Sequence, residues 1–146
     1  MEAVKDIAEA EQDIIDEFEM FDDWADKYEH LISEGKSLPL IDKKYKNEDH
    51  IVKGCQSQVW LHADYENGIV HYTTDSDAII TKGLVSMVIG VLSNHSPEEI
   101  VNSELYFIDK IGLHEHLSPT RSNGLLSMIK QMKMDAFALQ SQVSNN

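Results

Sequence analysis

The chain of 146 residues has one cysteine, and its neighbours are polar. It lies in the run Ile51-Val52-Lys53-Gly54-Cys55-Gln56-Ser57-Gln58-Val59-Trp60-Leu61. A cysteine that only fills a core tends to have apolar neighbours. Here Lys53 and Gly54 precede the thiol, Gln56 and Ser57 follow it, and a strand-like stretch comes next. The pattern predicts a short turn, loosened by Gly54, where another molecule reaches the sulfur. The chemistry on offer is nucleophilic, and the thiolate rather than the thiol carries it. A free thiol titrates near pH ~8.5, so little of it is ionised at neutrality. Lys53 could raise that fraction if its ammonium points at the sulfur; a partner's site could do so after docking. Gln56 and Ser57 could hydrogen-bond the loop or donate to a sulfur adduct. The plainer alternative is an inert, space-filling cysteine.

Other chemistries find less support. A cysteine-dependent hydrolase or thioesterase needs a histidine base held by a third group. His30, His50, His62, His71, His95, His114 and His116 qualify by type alone, and no cysteine-protease signature is present. His62, His71 and Asp64 should share one hairpin face, where a surface His–Asp pair is the simpler reading. His114-Glu115-His116 places two imidazoles two residues apart, a spacing that suits neither one helix face nor a common zinc motif. Iron–sulfur clusters generally want several thiolates. The chain lacks a glycine-rich phosphate loop.

Bulk properties bound the partners. The length suits one domain with one core, and 42% hydrophobic with 26% charged residues is ordinary for a globular chain. Twenty-six acidic against twelve basic residues give a formal net charge of -14. That excludes nucleic acid and anionic membrane as expected partners, since both call for clustered Lys and Arg. No apolar run approaches the ~20 residues of a bilayer span. Met1–Asp6 does not open a secretory signal, and a lone thiol suits a reducing compartment, so a cytoplasmic location is expected. Acid is concentrated early: residues 1 to 30 hold twelve acidic and two basic side chains.

The elements that must position Cys55 can be read from periodicity. Val4, Ile7, Ile14, Ile15, Phe18 and Phe21 recur at helical spacing. Asp22 is a candidate cap for a second helix carrying Trp24, Tyr28, Leu31 and Ile32, with Gly35 as its stop and Pro39 just beyond. Asn67-Gly68 predicts a two-residue hairpin turn. It pairs Tyr65 with Val70, Asp64 with His71 and Leu61 with Thr74, and puts Val59, Leu61, Ala63, Tyr65, Val70 and Tyr72 on the core face. Ile51-Val52 could add a short third strand. Asp75-Ser76-Asp77 should cap a helix over 77–93 that is apolar all round and therefore buried. Gly83 and Gly90 lie on one face of it, where another element could approach. Ser96-Pro97-Glu98-Glu99 reads as a capping box. Ser118-Pro119 opens a last helix with Leu125, Met128, Ile129, Met132, Ala136 and Leu139 inward, fraying from Gln140. Helices, a hairpin and helices again predict an α+β fold with a small antiparallel sheet of about three strands packed by helices.

Three of these segments resemble the SufE family of sulfur acceptors. They are Gly54-Cys55-Gln56-Ser57-Gln58-Val59-Trp60, Asp75-Ser76-Asp77-Ala78-Ile79-Ile80-Thr81-Lys82-Gly83-Leu84, and Leu117-Ser118-Pro119-Thr120-Arg121-Ser122-Asn123-Gly124-Leu125. Trp24, Tyr28, Gly35 and Leu38-Pro39 fall where the family's N-terminal region would place them. The likeness runs from about residue 14 to about residue 138, inside one domain of residues 1–146. It implies a SufE/IscU-like fold and a sulfur carrier. A PLP-dependent SufS-type cysteine desulfurase would hold sulfur as a persulfide; the Cys55 thiolate would attack it and carry the sulfur to a SufBCD scaffold for cluster assembly. The PLP would reside on the desulfurase, so no cofactor, metal or independent turnover is expected of this chain. A single cysteine favours a carrier over an IscU-type scaffold. Arg121 and Lys82 could each sit near the thiolate or orient a partner, or pair with Asp75 or Asp77. A hydrolase and an interaction module with an inert thiol remain the alternatives.

Overall fold

The computed structural model of the protein describes residues 6–38, 41–55 and 57–144. Val4, Pro39 and Gln56, singled out above, lie outside them. Among the described residues, seven α-helices accompany one antiparallel hairpin. Helix α1 spans Ile7–Glu19 and α2 spans Trp24–Lys36. Two 3-10 turns follow, Lys43–Tyr45 and Glu48–His50. Strands β1 (Val59–Glu66) and β2 (Ile69–Ser76) form the hairpin. Then come α3 (Ile79–Leu92), α4 (Pro97–Asn102), α5 (Phe107–Lys110), α6 (Leu113–His116) and the long α7 (Pro119–Ser144).

The hairpin register is the predicted one, with Tyr65 opposite Val70, Asp64 opposite His71 and Leu61 opposite Thr74. Asn67 and Gly68 both adopt positive φ, as a tight hairpin turn demands. Val59, Leu61, Val70, Tyr72 and Thr74 are buried on the inner face. The expected third strand is reduced to one bridge, Ile51 with Trp60, beside the Val52 N–H donating to the Val59 carbonyl. The sheet is therefore two-stranded. The outer face is covered in part by the 3-10 turns: Tyr45 stacks on His62, and Lys46 lies over Trp60 while pairing with Asp75 at 3.0 Å.

The central helix α3 is buried along most of its length, as its sequence requires, though Ile79 at its start is exposed. Its cap differs from the expected one. β2 runs on to Ser76, the helix starts two residues late, and Ala78 occupies the N-cap without a side-chain hydrogen bond. The acidic side chains are engaged elsewhere. Asp75 pairs with Lys46 and Lys82, which hold its carboxyl below the usual range against the opposing effect of burial. Asp77 accepts the Gln58 N–H at 3.1 Å and donates its own N–H to the Gln58 carbonyl. The second helix is likewise capped by Asp23, one residue beyond Asp22.

Gly35 does not end α2; it is buried within the helix and faces Gly83 of α3. A Cβ on Gly83 would lie 2.3 Å from the Leu31 carbonyl oxygen, and one on Gly35 2.9 Å from the Gly83 nitrogen. The two helices meet backbone to backbone there, which only glycine permits. Gly90 has no such neighbour: nothing lies within 4 Å of its Cβ position. The capping box at Ser96 and Glu99 forms with both of its hydrogen bonds. Helix α7 buries Leu125, Met128, Met132 and Ala136, half-buries Ile129 and Leu139, and continues to Ser144 rather than fraying at Gln140. The Tyr72 hydroxyl donates to the Met132 carbonyl at 2.7 Å, fastening the hairpin to α7. Glu11, buried on α1, accepts the Phe107 N–H at 3.1 Å; burial pushes its carboxyl above the ordinary range.

The glycine contact gives a paired test. Gly83→Ala should cost about 2 kcal/mol or more in denaturant unfolding, because the new methyl meets backbone that cannot yield. Gly90→Ala should be neutral or stabilising by up to about 1 kcal/mol through helix propensity. Equal effects at both positions would refute the close approach.

Candidate functional site

Cys55 sits half-buried at the end of a turn, Lys53-Gly54, that links the Ile51 bridge to β1. The turn rests on the first turns of α7. Gly54 has φ +94°, and its absent side chain leaves room for Ser127; a Cβ would fall 2.4 Å from the Ser127 hydroxyl. The Cys55 Sγ donates to the Gly124 carbonyl at 3.4 Å. Gly124 also keeps its wall thin, since a methyl there would touch Sγ at 3.6 Å.

The thiol opens on a small cavity of about 90 Å³ between the cysteine turn, α3 and α7. Thr81, Leu84 and Val85 of α3 form one wall; Thr120, Arg121, Gly124, Leu125 and Met128 of α7 form another; Ser57 and Val59 close the third. The lining is mixed, with Ser57, Thr81, Thr120 and Arg121 among aliphatic groups. Burial pushes the Cys55 thiol above its ordinary value. The hydrogen bond acts in the same direction, because a carbonyl oxygen accepts from S–H but repels a thiolate. In this position the sulfur is a protected thiol, not an activated nucleophile.

The predicted site residues separate into two groups. Gly54, Ser57 and Arg121 meet around Cys55, Gly54 as the turn and the other two as lining. Arg121 is exposed at the cavity, while the Asp75 partner considered for it is held by Lys46 and Lys82. Lys82 is thereby accounted for as an ion pair. Lys53 departs from expectation: its side chain lines a separate groove with His50, His62 and Asp135, away from the cavity that holds the thiol. Lys53 is absent from the residues that line the thiol cavity. Gln56 lies outside the described residues. His62 pairs with Asp64 at 2.9 Å on the outer hairpin face, the surface pair anticipated above, and no histidine among the described residues lines the Cys55 cavity.

Sequence reasoning did not single out Thr81, Thr120, Gly124, Ser127 or Met128 as parts of this site. The signal was present in another form. Thr81 belongs to the second quoted segment, and Thr120 and Gly124 to the third. The fold brings all three segments to one cavity, and Asp77 locks the first to the second through Gln58.

The SufE family model, described as an Fe-S metabolism associated domain, matches residues 12–136. An uncharacterized SufE-like protein of Rhizobium etli is 43% identical over 128 residues, covering 84% of this chain and 86% of that one. SufE-like protein 1 of Arabidopsis thaliana, chloroplastic/mitochondrial, is 36% identical over 96% of this chain, which corresponds to 38% of the plant protein. The solution structure of a hypothetical protein from Thermus thermophilus superposes with a TM-score of 0.76 at 20% identity, covering 90% of this chain and 96% of that one, and shows the same α+β fold. No helix among the described residues is long and apolar enough to cross a membrane. The chain belongs to the SufE family, and its role lies in iron–sulfur metabolism.

Proposed function

We propose that the protein is a sulfur acceptor and carrier that receives sulfane sulfur on Cys55 from a SufS-type cysteine desulfurase, stimulates that enzyme, and passes the sulfur to a SufBCD scaffold in the cytoplasm. The observation that carries this reading is the convergence of the three family segments on a cavity whose reactive group is one thiol. The transfer is thiol exchange. The Cys55 thiolate attacks the terminal sulfur of the donor's persulfide, the S–S bond of the donor breaks, and the donor cysteine leaves as a thiolate. The PLP chemistry that first extracts sulfur belongs to the desulfurase, so Cys55 needs only access and ionisation.

The cavity suits the cargo. One sulfur atom is comparable in size to a water molecule, whose share of liquid volume is ~30 Å³, and about 90 Å³ is open beside Sγ. Arg121, Thr81 and Thr120 line the cavity, so donors are available to meet a persulfide's terminal sulfur. A loaded carrier could thus withdraw its sulfur from solvent and oxidants. Loading itself requires the turn to lift from α7, since the resting thiol is held against the Gly124 carbonyl. The hydrolase alternative finds no support here, since no histidine among the described residues lines the cavity to act as its base.

Two outcomes follow. With a SufS-type desulfurase and free cysteine, the protein should raise sulfide-releasing turnover several-fold in the presence of reductant, and Cys55→Ser should return it to the rate of the desulfurase alone. Full stimulation by the serine variant, or thioester hydrolysis by the protein alone, would overturn the reading. Because burial raises the thiol's pKa, alkylation of Cys55 in the folded chain should have its inflection on the alkaline side of that in the denatured chain. At neutral pH the folded protein should react more slowly. Sharing one inflection between the two states would show that the thiol is not withdrawn.

A further inference from the structure

Far along the sequence from Cys55, α1 and α2 build a second cluster of chemically competent groups. We propose that Glu17, His30 and Glu34 form a binding site for a divalent transition-metal ion of the zinc class. The His30 Nε2 lies 3.2 Å from Glu17 Oε2 and 3.8 Å from Glu34 Oε1, and all three atoms fall within 4.8 Å of one another. Metal–ligand bonds of about 2.1 Å in tetrahedral array put donor atoms about 3.4 Å apart. The present separations bracket that value, so small side-chain rotations suffice to close the set.

The imidazole is fixed before any ion arrives. His30 lies between two rings, with Phe18 edge-on at 5.5 Å and Phe21 tilted at 5.1 Å between centroids. Its neighbour Glu34 is one turn further along α2, on the same face. Glu17 comes from the facing side of α1, so the two helices contribute donors to one point. Both carboxylates are exposed while the imidazole is half-buried, and ions can reach the site without opening the core.

Electrostatics favours a cation there. Two carboxylates approach the same imidazole nitrogen, one at 3.2 Å and one at 3.8 Å. A metal ion accepts from all three and removes the repulsion between the two charges. The surroundings add to the pull, with twelve acidic and two basic side chains in residues 1 to 30. The set of one imidazole nitrogen and two carboxylate oxygens, with no thiolate, suits Zn²⁺ or Mn²⁺ better than Mg²⁺, which takes oxygen donors and dehydrates reluctantly. The donors border a cavity of about 350 Å³, large enough for water to complete the coordination. Bound metal would clasp α1 to α2 at the edge of the helix pair that packs on α3. No residue lines both this cavity and that of Cys55. The proposal is independent of the sulfur-transfer reading.

The test is a calorimetric titration of Zn²⁺ into the Cys55→Ser chain, which removes the thiol as a competing ligand, alongside thermal unfolding. One ion per chain should bind and raise Tm. Glu17→Gln and Glu34→Gln should each weaken binding at least about tenfold and abolish the rise in Tm, with the helical circular dichroism unchanged. Exposed His71→Ala should bind as the parent does, and a large excess of Mg²⁺ should not displace the zinc. His30→Gln should behave as the glutamate variants do; if it fails to fold, the two glutamate variants decide. Several weak ions per chain displaced by Mg²⁺, unchanged affinity in Glu34→Gln, or no heat of binding would each overturn the assignment.

Discussion

A short turn resting on one helix governs everything this protein can do with its single sulfur. Cys55 donates to the Gly124 carbonyl, and Gly54, at φ +94°, lets the turn settle against Ser127. Both contacts are to α7, so the position of α7 fixes the resting state of the thiol. The helix is held from several sides: by Met128, Met132 and Ala136 in the core, by the Tyr72 hydroxyl on the Met132 carbonyl, and by packing against α4. The opposite wall, α3, is set with equal firmness where Gly83 meets Leu31 and Gly35. Two rigid helices and one loosened turn are what a covalent carrier requires. On the proposed reading, the scaffold defines where the sulfur rests, and Gly54 would allow it to leave.

Protection and reactivity oppose each other at this thiol. Burial and the carbonyl acceptor favour S–H over S⁻, which slows oxidation and also slows attack on a donor persulfide. A carrier resolves the conflict by ionising only after it has left the cavity, in the site of its partner. Among the described residues, Arg121 is the one positive residue that lines the cavity; Lys53 lines another groove and Lys82 is paired with Asp75. Under the proposed function, the charge needed to activate Cys55 would come largely from the desulfurase. On that reading, a formal charge of -14 is compatible with a thiolate carrier.

Much of the architecture was legible because local signals agreed with the tertiary ones. Asn67-Gly68 pins the hairpin, and the alternation of Val59, Leu61, Val70 and Tyr72 leaves one register that buries them. The all-round apolar sequence of α3 and the Ser96–Glu99 box were equally direct. Where the reading missed, a distant group had claimed the residue. Asp75 looks like a helix cap and is drawn off by Lys46 and Lys82, so the strand runs on and Ala78 takes the cap. Gly35 looks like a stop and is a contact with Gly83, a residue on another helix. At the site, Cys55, Gly54, Ser57 and Arg121 were found from residue type and motif, whereas Thr81, Gly124 and Ser127 acquire a role only when three separated segments fold together. The Glu17–His30–Glu34 cluster was hidden for the same reason, although His30 and Glu34 do have a helical ligand spacing.

The central claim is that Cys55 accepts sulfur directly from another protein's persulfide. It is tested most directly in a single turnover. A SufS-type desulfurase is loaded with persulfide, freed of cysteine and mixed with this protein, and both chains are weighed intact over time. The account predicts that the donor loses one sulfur as this chain gains one, located on Cys55 by peptide mapping and absent from Cys55→Ser. A donor that keeps its persulfide, or sulfur that leaves it only as free sulfide, would contradict it.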